Sequence, residues 1–538
     1  MARRRLALLS ALVPLSLLVL TAAPSGAAET TAPRPDAAVQ VTADPTAVRG
    51  HATPSMAVHP DDAHVLALAE GDAYNSRCSV HISTDAGLTW NTTTAPEVPD
   101  EWPGCMFATT GTIADVAFAG DGTLYFAFTG FNPRTYQQRT FLARSDDLGQ
   151  RWDTVELPWV EPDPATGQSG ADGLPSVVVD PEDPERVYVG WWSNNGTWNL
   201  PEELSGGKEW CDDLIPRPWV ATSSDGGRTF SGAVDLALGV EGCMTEPYLL
   251  AGNDGELFAY FGESSGGEEG KAEPAHLFQS VSRDGGQTFT ATPIHTQSAP
   301  NDGDAADSDG DWLSAPSPGI DRESGELYVA WEDMGEGKPS IQFMRSSDAG
   351  ATWSTPVGLD DVEPRRDWDF TEEFPSLSVA PNGRIDVAWY DFRNDVAFVD
   401  GEEAENGFQD VYFTSSTDGG STWSGNLRVN DRLIDRRFGA RSTGYITGPV
   451  GLASTNETAY VAWDDTRNGN EETGAQDIYA TRVRFSDPAT VFATEAAGTG
   501  ISVPAVLLGA AGALVLGGLA LVVATSTRRR SGDAPQPG

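Results

Sequence analysis

The chain has 538 residues, and its 79 acidic and 34 basic side chains give a formal net charge of −45. A phosphate-seeking nucleic-acid binder needs a basic footprint to release counterions, so that class is excluded. Only three residues are lysine, Lys208, Lys271 and Lys338, and the acidic surplus speaks to solubility and cation binding.

The first segment carries Arg3-Arg4-Arg5, an apolar run and small residues ending at Ala27-Ala28, the layout of a secretory signal over residues 1–28. Residues 29–485 then read as one outer body. Short period-two strands bounded by turn residues fill it, and no segment sustains a helical period. One string recurs six times: STDAGLTW, SDDLGQRW, SSDGGRTF, SRDGGQTF, SSDAGATW and STDGGSTW. Its aspartates are Asp85, Asp147, Asp225, Asp284, Asp348 and Asp418, spaced 62, 78, 59, 64 and 70 residues apart. A period of this size predicts an array or propeller.

First strands start near Pro54, Ile113, Pro175, Pro247, Pro316, Pro375 and Pro449, so seven units are expected rather than six. The seventh lacks both the Asp string and a fourth strand. AAVQVTADPTAV near the N-terminus is expected to supply that strand and close the ring, which removes open sheet edges. Each Asp string reads as a hairpin corner between third and fourth strands. The carboxylate accepts turn N–H groups, glycine supplies a positive φ, and Trp or Phe plugs the gap to the neighbouring blade.

After the spacer 486–500, Ile501 to Ala524 is a 24-residue uncharged run followed by Arg528-Arg529-Arg530. At 1.5 Å per residue it reaches about 36 Å, enough to span a bilayer. The expectation is a single-pass plasma-membrane protein, propeller outside, with residues 525–538 as a cytoplasmic tail.

The recurring string resembles the Asp-box, or BNR, repeat of the sialidase superfamily, and the six copies with their strands cover nearly the whole body. The resemblance implies an all-β propeller of four-stranded antiparallel sheets whose Asp corners lie opposite the active-site face. It also implies three arginines clamping a substrate carboxylate, a tyrosine nucleophile and an aspartate acid/base, since planar carboxylates suit bidentate guanidinium forks. Where the family has Arg-Ile-Pro, this chain reads Ala52-Thr53-Pro54. Where Glu-x-Arg often follows, it reads Glu70-Gly71-Asp72.

Tyr445 stands near the family tyrosine, with Arg436, Arg437 and Arg441 just before it. Loops leaving the second strands face the site side, and two are alike: AWYDFRND with Asp391 and Arg393, and AWDDTRNG with Asp465 and Arg467. In one reading Tyr445, Asp391 and Asp465 are catalytic and Arg393, Arg467 and Arg441 bind ligand. In the other, each Asp-x-Arg pair ties its own loop together. Trp102, Trp192, Trp198, Trp312 and Trp368 sit on mouth loops as sugar platforms or as loop anchors.

Cys78 and Cys105 flank the first Asp string as Cys211 and Cys243 flank the third, so these two disulfide pairs are expected. Asp302, Asp304, Asp307, Asp309 and Asp311 crowd one loop, which reads as a calcium site or as a solvated acidic loop. The six histidines are scattered and take no role. Three functions follow: a surface propeller binding a glycan or a protein ligand, an exo-acting sialidase-type glycoside hydrolase, or an envelope adhesion or assembly scaffold.

Overall fold

The computed structural model describes residues 33–485 apart from 103, 106–113, 135–136, 159–170, 195–215, 265–274, 298–315, 334–339, 362–371, 396–397, 400–401, 404–406 and 441–447. The expected signal segment, spacer, membrane span and tail lie outside the described residues. Among the described residues no helix is long and apolar enough to cross a membrane.

The described chain is an all-β propeller of seven blades. Blade 1 comprises His51–Val58, Leu66–Asp72, Arg77–Ser83 and Asn91–Thr92, paired antiparallel in that order. Five further blades repeat the meander, with second strands Leu124–Phe131, Val187–Asn194, Leu257–Ser264, Leu327–Asp333 and Ile385–Asp391. Blade 7 takes Gly451–Ser454, Thr458–Asp465 and Asp477–Arg484 from the end of the described chain. Its fourth strand comes from the beginning, through Arg34–Pro35 and Val39–Gln40. The expected closure is therefore present, starting slightly earlier than the AAVQVTADPTAV segment. Asp36 locks it, because one carboxylate oxygen accepts bonds from both Arg482 and Arg484 at 2.7–2.9 Å.

Apolar side chains from facing sheets meet in seven clusters, one at every blade-to-blade seam, with the last joining Tyr460 and Ile478 of blade 7 to Leu66 and Leu68 of blade 1. The second strands are buried on both faces, which is why they read as near-continuous apolar runs.

The six Asp strings form the expected corners. In blade 4, Ser282 Oγ donates to Asp284 Oδ1 at 2.8 Å and accepts from Gly286 N at 2.9 Å. Thr288 N and Oγ1 donate to the two carboxylate oxygens at 2.9 and 2.6 Å. The Thr229 hydroxyl and N–H hold the Asp225 carboxyl down to about 2 in the same way. The glycine two residues after each corner aspartate is left-handed, as Gly286 is at φ +83°, where a Cβ would strike the Thr222 hydroxyl of the preceding blade. The closing aromatic fills the seam to that blade, as Trp90 does between blades 7 and 1 and Trp353 between blades 4 and 5. Six equivalent corners spread around one rim serve the ring.

Candidate functional site

Each second strand ends, and each third strand begins, on the rim away from the Asp corners. The two Asp-x-Arg loops on that rim share one construction. In blade 6, Trp389 Nε1 donates to Asp391 Oδ2 at 3.1 Å, and Arg393 returns along the loop to bind both Asp391 oxygens at 2.6–2.9 Å. The Arg393 guanidinium also pairs with Asp361 at 2.8 Å and lies 3.8 Å over the Tyr412 ring. In blade 7, Trp463 Nε1 donates to Asp465 at 3.0 Å, and Arg467 binds Asp465 and Asp431, both at 2.7 Å, stacked 4.0 Å over Tyr479.

Asp391 and Asp465 are both buried. Their carboxylates hold their own loops; the Arg393 fork is filled before any ligand arrives, whereas Arg467 is held through Nη2 and its Nε has no partner. Such a pair is costly to bury unless its members are hydrogen-bonded, a condition the Asp391–Arg393 pair meets more fully than Asp465–Arg467. The contacts are those of the loop-tying reading.

The opening of blade 1 is packed, not vacant. Ala52 is fully buried against Ala440, and Thr53 adopts φ +55° at a bulge before Pro54. Leu174 and Phe374 make the same bulge before Pro175 and Pro375. A positive φ at a β-branched residue is rare, so the bulge is imposed by the fold.

Strand register exposes a substitution that composition does not. Glu70 takes the position that Trp191, Trp331, Trp389 and Trp463 hold in blades 3, 5, 6 and 7, since Ser55 faces Ala69 as Ser376 faces Ala388. This fully buried carboxylate lies 2.8 Å from His51 Nδ1 and 3.3 Å from His81 Nε2. Burial alone would raise Glu70, but the His51 charge and hydrogen bond outweigh it and bring it to about 2. Burial would likewise lower His51, yet Glu70 lifts it to about 9. Two of the histidines that the sequence left without a role thus share one buried acid.

Beside this network, at the seam of blades 7 and 1, a cleft of about 370 Å³ is lined by Tyr74, Arg437, Phe438, Glu471, Glu472 and Thr473, among others. Tyr74 is 40% exposed. Arg437 pairs with Asp435 at 2.6 Å and lies 4.8 Å over the Phe408 ring, so its fork is held in place while the side chain stays open to solvent. The sequence named Arg437 only as a neighbour of Tyr445; its place in a cleft depends on the 466–475 loop meeting the 72–76 turn.

On the other side of the ring, Glu246 lies two residues before the first strand of blade 4, Tyr248–Ala251. Water still reaches part of the residue, but protein walls in its carboxyl, and burial pushes it up to about 7. No periodicity signals this residue, because its burial is entirely tertiary.

Of the other expected site residues, Tyr445, Arg441, Trp198, Trp312, Trp368 and the Asp302, Asp304, Asp307, Asp309 and Asp311 loop lie outside the described residues. Trp102 and Trp192 are buried anchors; the Trp192 indole donates to Met244 O at 3.1 Å. Cys78 and Cys105 form the expected disulfide with Cα atoms 5.5 Å apart. Cys243 is disulfide-bonded, and Cys211, its expected partner, lies outside the described residues.

No family model matches the chain, and no curated protein matches it. Among solved structures it is similar to a Hadza microbial sialidase, at 15% identity over 79% of this chain and 74% of that one, TM-score 0.42. It is similar to an α-L-arabinofuranosidase of Fusarium graminearum, at 14% identity over 66% of this chain and 92% of that one, TM-score 0.42. A protein of unknown function from Dyadobacter fermentans shares 12% identity over 84% of this chain and 99% of that one, TM-score 0.44. The propeller assignment rests on this chain's own strand pairing.

Proposed function

We propose that the chain is an exported, membrane-anchored propeller that binds a neutral glycan in the cleft between blades 7 and 1. The observation that carries this is the lining of the cleft: the rings of Tyr74 and Phe438 beside the charged and hydroxyl groups of Arg437, Glu471, Glu472 and Thr473. A sugar offers an apolar ring face and a rim of hydroxyls, and this lining meets both. A net charge of −45 repels anionic ligands, which argues against a sialoside. So do the filled fork of Arg393, the engagement of Arg467 by two aspartates and the packed alanine at position 52.

The signal-like start and the 501–524 apolar run support display at the cell surface. Binding of the full chain to an array of neutral and acidic glycans tests the reading. The expected result is retention of neutral glycans with at least tenfold weaker binding by Tyr74→Ala. Equal binding by that variant sinks it.

Glu246 favours a second reading, a glycoside hydrolase of sialidase-like architecture, because an acid with a value near 7 stays half-protonated at neutral pH, as a general acid requires. Tyr445 is the nucleophile this reading calls for. Turnover of fluorogenic glycosides, abolished in both Glu246→Gln and Tyr445→Phe, would establish it.

Glu246 also gives a pH prediction independent of activity. Its folded value lies above the ordinary 4.5, so the folded chain holds the proton more tightly and loses stability as pH rises from 4.5 through 7. The loss is at most about 3 kcal/mol, reduced by the water that reaches the residue. Urea unfolding of Glu246→Gln is expected to show a flatter pH dependence over that window and greater stability than the wild type at pH 8; an unchanged slope overturns the assignment.

A further inference from the structure

We propose that Asp44, His51 and Asp72 form a binding site for a divalent transition-metal ion of the zinc type at the seam between blades 7 and 1. One ligating atom from each residue lies within 4.8 Å of the other two. His51 is 5% exposed, and its Nε2 has no hydrogen-bond partner. An orphaned nitrogen this deeply buried is costly unless something fills the space in front of it.

The spacing suits an ion better than a hydrogen bond. Nε2 stands 3.6 Å from Asp44 Oδ2, too far for a direct bond. Two donors each about 2.1 Å from zinc and about 110–120° apart are separated by roughly 3.4–3.6 Å.

The surroundings are those of a supported metal ligand. Glu70 Oε2 at 2.8 Å from Nδ1 fixes the imidazole and leaves Nε2 pointing at the carboxylates, and His81 steadies Glu70 from behind. A carboxylate behind a ligating histidine is the usual outer-shell partner. Asp72 is held by the N–H groups of Gly50, Tyr74 and Asn75 at 3.0–3.3 Å and by the Asn75 amide at 2.5 Å. Asp44 accepts from Thr46 N through Oδ1 at 2.7 Å, which leaves Oδ2 to the site.

The charge balance also calls for a cation. Asp44, Glu70, Asp72 and Asp477 face Arg49, which binds both oxygens of Asp477 at 2.7 Å, and His51. Entry is from the Asp44 side, whose side chain is 17% exposed. The mixed nitrogen and oxygen donor set separates this site from the all-carboxylate loop at 302–311. Calcium takes six to eight oxygens, whereas imidazole with carboxylate suits zinc or manganese.

The test is equilibrium dialysis and calorimetry of the chelator-stripped full chain with Zn(II), and separately with Ca(II). One zinc per chain is expected. Asp44→Asn should weaken it about 10- to 100-fold, while its ion-free melting curve and circular dichroism stay those of the wild type, because Asp44 is peripheral to the fold. Bound Co(II) should show a visible spectrum that Asp44→Asn removes. Asp307→Asn combined with Asp309→Asn should leave zinc uptake unchanged. Zinc uptake that survives Asp44→Asn overturns the proposal, as does uptake abolished instead by His64→Gln, which would mark the exposed His64 and Asp62 pair as the binder. Absence of stoichiometric zinc overturns it as well.

Discussion

Asp391→Ala and Asp465→Ala should each cost about 3–5 kcal/mol of folding stability, among the largest effects of any polar substitution in the ring. Removing Asp391 leaves the Trp389 indole N–H without its acceptor and Arg393 with half its charge partners inside the loop. Asp465 stands in the same relation to Trp463 and Arg467. The cost comes from the orphaned cation more than from the lost attraction, so the double variant Asp391→Ala with Arg393→Met should be less damaging than Asp391→Ala alone. Urea unfolding followed by tryptophan fluorescence measures both. Single variants as stable as the wild type would return these aspartates to the pool of catalytic acids, since a carboxylate kept for chemistry is free to be lost without unfolding its loop.

The second large effect is at the closure. Deleting residues 33–40 removes the fourth strand of blade 7 and bares Asp477–Arg484, an eight-residue strand that would become an open edge. Arg482 and Arg484 lose Asp36 at the same time. Open edges template pairing with other chains. The expected outcome in light scattering after gel filtration is a shift from monomer to soluble oligomers, with aggregation beginning at a lower temperature. A monomeric deletion variant with an unchanged melting curve would mean that the first and seventh blades hold the ring through their apolar seam alone.

The ring was legible in the sequence because its signals are local. Period-two runs and the Ser-Asp-Gly corner each occupy fewer than ten residues, and the missing fourth strand of the last unit pointed to the N-terminal segment by arithmetic. The Asp-x-Arg pairs were legible as pairs for the same reason. Their outer partners, Asp361 and Asp431, were not, because they sit 32 and 36 residues away from the arginines they bind.

His51, Glu70 and His81 looked scattered because three strands of one sheet must be laid in register before they meet. The clue was present in the repeats: where the second strands of blades 3, 5, 6 and 7 carry Ala-Trp or Gly-Trp, blade 1 carries Ala69-Glu70. Aligning blades by their strand ends, not by their Asp corners, would have shown it. Glu246 had no such clue, since a glutamate before a proline says nothing about the walls around it.

The closure also fixes how the ring meets mechanical load. Arg34 lies opposite Arg484, so the chain enters and leaves the described fold at the same end of one antiparallel pair. Tension between residues 33 and 485 therefore peels the ladder one rung at a time instead of shearing all rungs together. The first rungs to feel it are those beside Asp36, where two guanidinium groups and the Thr481 hydroxyl converge on a single residue. Asp36 is the clasp, and its strength sets the force at which the ring would open.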